Sequence, residues 1–143
     1  MKSEKGITLT SLVIYVIGIT IIFAVVANLT IYFNKNSRTI ENTTNNSAQV
    51  TRLNQYLIND TKKENVKVVE VSSNAIILEI NGENIKYIYD VYSKGIYRNK
   101  VKIANDVQSL KIEKEIIYDK TTLTVNITIG KQEQISKELE YII

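Results

Sequence analysis

The chain contains no cysteine and no histidine. Without thiolates or imidazoles it cannot build a Cys/His zinc site, a Cys-His nucleophile pair, a Ser-His-Asp triad or a disulfide framework. Most hydrolytic and redox chemistry is excluded with them, so the expectation is a protein that is not an enzyme and carries no cofactor and no metal. Charge of one sign is also scarce. The 18 basic and 15 acidic side chains leave a net charge of +3, too weak to make nucleic acid or an anionic surface the expected partner on composition alone. No Walker loop, G-x-S-x-G, dinucleotide fingerprint or EF-hand calcium loop occurs, which removes the main sequence-legible nucleotide, acyl-transfer and calcium chemistries.

What the chain does have is a long uncharged run. Residues 7–33, ITLTSLVIYVIGITIIFAVVANLTIYF, lie between Lys5 and Lys35 without a formal charge. About 20 apolar residues in a helix cross a hydrocarbon layer of about 30 Å, so this run is long enough to cross with tilt. An uncleaved signal peptide mistaken for structure fits poorly, because the basic leader is short, the apolar part is too long and no A-x-A site follows. Lys2 and Lys5 before the run compete with Lys35 and Arg38 after it for the cytoplasmic side. The larger polar part is expected outside, as the head of a single-pass membrane protein.

Residues 34–65 contain neither glycine nor proline. Their sparse apolar positions Ile40, Val50, Leu53 and Leu57 fall partly on three- and four-residue spacing, which predicts a continuing amphipathic helix whose turns from Val50 to Ile58 lie on a globular part. The middle, NKNSRTIENTTNNS, is rich in Asn, Ser and Thr, which bond their own backbone and form helices poorly, so a linker competes there.

After Asn65 the period becomes two. Strands are expected over 66–71, 75–80, 84–92, 96–98, 107–118, 121–129 and 135–142, with Asn81-Gly82 as the strongest hairpin turn and further turns at Ser93-Lys94-Gly95 and Asp119-Lys120. Hairpin-length connections make the sheet antiparallel, and its apolar face needs the second half of the long helix as cover. The expected fold class is therefore α+β: a long N-terminal helix, membrane-spanning in its first half, packed by its second half on an antiparallel β-sheet.

Two clusters invite chemistry. Glu113 and Glu115 share a strand face near Asp119, but Lys111 and Lys114 are interleaved with them, as on a solvated sheet face. Lys94, Arg98, Lys100 and Lys102, with Tyr92 and Tyr97 between them, form a candidate polymer-binding patch of the composition a single-stranded nucleic acid favours. A charged hairpin edge that discourages aggregation is the simpler reading.

MKSEKG followed by ITLTSLVIYVIGITII resembles the class III signal of type IV pilins and pseudopilins: a short basic leader ending in glycine, then an apolar helix opening hydrophobic-Thr-Leu. The resemblance implies a leader at 1–6, an assembly helix at 7–33, a continuing helix or linker at 34–65 and a sheet head at 66–143. It also implies that a prepilin peptidase cuts after Gly6 and methylates the new amine of Ile7. Most pilins carry glutamate at the fifth mature residue, where this chain has Ser11. That departure implies a minor subunit that initiates or caps a filament of pilus, type II secretion or competence type. The segments RLNQYLINDTKKENVKVVEV, YIYDVYSKGIYRN and IANDVQSLKIE are similar to the heads of J-type pseudopilins, PilW-type minor pilins and ComGF-type competence pseudopilins. The partners implied are other pilin or pseudopilin subunits, the prepilin peptidase and, before assembly, membrane lipid, with a cell-surface filament as destination. A signal-anchored extracytoplasmic binding domain and a tip adhesin or DNA-capturing subunit are the alternatives.

Overall fold

In the computed structural model, side chains are described for residues 8–143. Helix α1 runs Glu4–Thr61, and the chain divides into two compact units, Met1–Ile40 and Glu41–Ile143. The polar middle, for which a linker was the competing expectation, is helical throughout. The absence of proline and glycine leaves nothing to break the backbone ladder there. The helix closes at Thr61, whose hydroxyl donates to the Leu57 carbonyl at 2.8 Å, and Asn65 at φ 58° turns the chain into the first strand. A left-handed residue at this point is typical of asparagine, whose short polar side chain tolerates it.

Eight strands follow: β1 Val66–Ser72, β2 Ala75–Ile80, β3 Glu83–Asp90, β4 Gly95–Arg98, β5 Val101–Ala104, β6 Val107–Ile117, β7 Lys120–Ile129 and β8 Ile135–Ile142. All pair antiparallel, as a five-stranded sheet β1-β2-β3-β4-β5 and a three-stranded sheet β6-β7-β8. One sheet was expected and two are present. The chain leaves the first sheet at Asn105-Asp106, where Asp106 takes φ 54° and its carbonyl accepts the Gly130 amide at 2.9 Å.

Asn81 and Gly82 take φ 52° and 82°, the paired left-handed geometry of a type I′ turn. Asn99-Lys100 (φ 46° and 73°) and Tyr118-Asp119 (φ 49° and 61°) do the same without glycine. The first of these creates β5, which the sequence reading missed. The second lies one residue before the expected Asp119-Lys120 turn. Strand β3 ends at Asp90, so Val91 and Tyr92 stand in the following loop, with Tyr92 fully exposed.

Within the second unit the core is one cluster. Val50, Leu53 and Leu57 of the helix meet Ile76, Leu78, Tyr87 and Ile96 of the first sheet and Ile112, Leu123, Val125 and Ile127 of the second. The alternation along β2 and β7, with every second residue buried, is the period-two pattern that one covered face produces. A residual void of about 10 Å³ is lined by Leu53, Leu57, Tyr87, Ile96, Ile112 and Val125, among others. It is at most one water in size.

Candidate functional site

Residues 8–33 are apolar and uncovered. The helix is long and apolar enough to cross a membrane by length and composition, and none of its most apolar window is buried. Leu12, Ile14, Ile22, Phe23, Ile31 and Phe33 are each more than half exposed, as are most of their neighbours. Two threonine hydroxyls in this stretch turn inward on the backbone. Thr20 Oγ1 donates to the Val16 carbonyl at 2.8 Å and Thr30 Oγ1 to the Val26 carbonyl at 2.9 Å, the arrangement that lets a hydroxyl sit in an apolar medium. Ser11 is an exposed residue of the same helix. The carbonyl one turn before it belongs to Ile7, which with Gly6 lies outside the described residues.

A second cluster sits at the far end of α1, inside the second unit. Asp60 has a side chain only 3 % exposed, on the same helical stripe as Leu53 and Leu57. Its carboxylate accepts Arg98 Nε at 2.8 Å and Arg98 Nη2 at 3.0 Å, a bidentate pair, together with the Tyr87 hydroxyl at 2.5 Å and Lys63 Nζ at 3.2 Å. The Arg98 guanidinium lies 5.4 Å from the ring centre of Tyr56 and 6.0 Å from that of Tyr87. Burial pushes the Asp60 carboxyl up, but the hydrogen bonds from Arg98, Tyr87 and Lys63 outweigh it and hold the group below its ordinary value. The hydrogen bond to Asp60 pushes Arg98 up, and burial, then Asp60, pushes the Tyr87 phenol up. All three groups therefore stay in the protonation state that binds the others. With its carboxylate buried and taken by four donor groups, Asp60 is a structural tie.

This geometry divides the basic patch expected at Lys94, Arg98, Lys100 and Lys102. Arg98 pairs with Tyr87 across β3-β4 and follows it to the covered face, where Asp60 neutralises it. The three lysines stay exposed. Lys94 Nζ donates to Gln108 Oε1 at 3.0 Å, Lys100 occupies a turn position, and Lys102 Nζ stands 5.8 Å from the Tyr97 ring centre. Gly95 makes that last placement feasible, because a Cβ there would come within 2.4 Å of Lys102 Cε. Glu113 and Glu115 are solvated as expected, with Lys111 Nζ 2.6 Å from Glu113.

Three further polar ties were not read from the sequence. Asn46 Nδ2 donates to the Glu133 carbonyl at 2.8 Å, Gln49 Oε1 accepts the Asn105 amide, and Asn54 Oδ1 accepts the Tyr141 hydroxyl at 2.8 Å. The available signal was position, since residues 46, 49, 53, 57 and 60, and likewise 46, 50, 54 and 57, follow one another at three- and four-residue intervals, so polar side chains on that stripe needed partners. A long apolar N-terminal helix followed by antiparallel sheet is pilin-like, as the leader resemblance implied. No protein-family model, curated protein or solved structure matches the chain.

Proposed function

We propose that this chain is a non-enzymatic minor subunit of a type IV pilus-like filament, held in a membrane by residues 7–33 before it is assembled. The observation that carries the reading is the uncovered apolar helix of residues 8–33. Leaving a large apolar side chain in water forgoes about 1.5–3 kcal/mol. Summed over this segment the loss is on the order of tens of kcal/mol, more than the ~5–15 kcal/mol by which a domain is stable. Lipid, and afterwards the helices of other subunits, supply the missing cover. The class III-like leader, the glycine-then-hydrophobic junction and the helix-then-sheet order support the pilin form of that reading over a generic anchor. Ser11 in place of the usual glutamate supports an initiating or capping position, where no neighbouring N-terminal amine needs a countercharge.

Intact-mass measurement of the chain made in membranes that contain a prepilin peptidase tests this. The expected product has lost residues 1–6 and gained one methyl group at Ile7. A product that keeps Met1 and remains embedded in lipid would overturn the pilin reading in favour of a signal-anchored extracytoplasmic domain.

A further inference from the structure

Asn28 is a carboxamide in the apolar helix, exposed and without a hydrogen bond to its side chain among the described residues. Its neighbours Thr20 and Thr30 solve the same problem by bonding their own backbone. An amide has two donors and one acceptor to satisfy. The segment 8–33 is centred near residue 20, which puts the Asn28 Cα about 11 Å from the centre at 1.5 Å per residue, inside a half-thickness of about 15 Å. Side chains on a helix lean toward its N-terminus, so this amide leans toward the middle of the span and is too short to reach the near surface.

We infer that Asn28 pairs with Asn28 of a second copy of this chain, in a parallel two-helix contact formed in the membrane. Every copy inserts with the same orientation, so two neighbouring copies present the same residue at the same depth. An amide is also self-complementary: each Nδ2 donates to the other copy's Oδ1 across a twofold axis. The residues in phase with Asn28 suit such a contact. Counting in sevens, Ile14, Ile21 and Asn28 fall on one edge of a seam, and Ile17, Ala24 and Ile31 on the other, all of them exposed. Branched residues with a single polar amide on such a seam set a two-stranded register, and Ala24 next to the amide lets the backbones approach. The inference rests on the reading of residues 8–33 as a membrane span.

The absence of native cysteine allows one label site, Ser47→Cys on the exposed face of the helix, in the full chain reconstituted into phosphatidylcholine vesicles. Energy transfer between donor- and acceptor-labelled chains reads the pairing, and co-flotation with the vesicles reads insertion. Asn28→Val is expected to weaken pairing by about threefold to thirtyfold. Asn28→Gln, which keeps the amide, should retain most of it, and Leu29→Ala, off the seam, should change it little. Co-flotation with no energy transfer above the unpaired level, or transfer equal in wild type and Asn28→Val, would overturn the inference and leave the membrane reading standing. Transfer that appears only after other membrane proteins are added would point to a different partner and also overturn it. Failure to co-float would sink the membrane reading and the inference together.

Discussion

Replacing Asp60 by asparagine keeps the shape of the side chain and removes its charge. The carboxylate receives two N–H groups from Arg98, one phenol from Tyr87 and one ammonium from Lys63. Lys63 is half exposed and contributes well under 1 kcal/mol. The others are charge-assisted bonds of about 1.5–3 kcal/mol net each, and the two from Arg98 are not independent. Removing one partner of a buried pair costs about 3–5 kcal/mol. The Arg98 side chain keeps 24 % of its exposure, and the amide still accepts one bond, so the expected loss for Asp60→Asn is about 2–4 kcal/mol. For a unit of roughly a hundred residues that is a fall in Tm of about 10–25 °C, readable from the tyrosine near-ultraviolet dichroism of the detergent-solubilised chain. The pH dependence has a definite sign. Because the folded carboxyl is held below its ordinary value, its contribution is complete above the unfolded pKa of about 3.9 and disappears as pH falls through the folded value. The gap between wild type and Asp60→Asn should therefore close on acidification below pH ~4. Arg98→Met in the Asp60→Asn background should cost less than Arg98→Met alone, the signature of direct coupling. Strict additivity, a loss under about 1 kcal/mol, or a gap that widens in acid would refute the reasoning.

Leu57→Ala, at a site 1 % exposed that already borders a small void, should cost about 2–5 kcal/mol. The midpoint of a urea titration followed by tyrosine dichroism reads the loss, and an unchanged midpoint would mean that the helix is not part of the folded head. Gly130→Ala should destabilise by more than an ordinary surface change, about 1–3 kcal/mol from backbone strain alone. Gly130 takes φ 121°, and an added Cβ would stand 2.2 Å from the Glu133 carbonyl oxygen and 2.5 Å from Asn46 Nδ2. Amide hydrogen exchange around 130–136 should speed up in that variant, and unaltered exchange there would count against the close approach.

The strands were legible because one face of each sheet is covered, which imposes the alternation seen along β2 and β7. The position of the helix on the head was legible for the same reason, through Val50, Leu53 and Leu57. Strand β5 was not, because it has four residues and its turn, Asn99-Lys100, adopts two left-handed positions without the glycine that advertises such turns. The split into two sheets was hidden because alternation marks a strand and says nothing of its partner. Arg98 was assigned to a basic patch on local company alone. Its true neighbour is 38 residues away in sequence, and only the phase of Asp60 on the buried stripe hinted that a cation had to come to it.

That phase also explains why the stripe is mixed. A purely apolar stripe along the helix could slide by one turn against the two sheets with little change in buried area, since Val, Leu and Ile are nearly interchangeable there. Asn46, Gln49, Asn54 and Asp60 cannot slide, because each meets particular backbone or side-chain groups. Among the described residues no buried side-chain donor or acceptor is left unpaired, so a shift of one turn would break all four ties at once and bury orphaned polar atoms at about 1–3 kcal/mol each. The apolar residues supply the driving force and the polar ones fix the register. The ties at Asn46 and Asp60 are about 21 Å apart along the helix axis. A helix fixed at both ends of its buried stretch cannot be pulled from the head by breaking one contact, which is what a subunit drawn out of lipid by its helix would require.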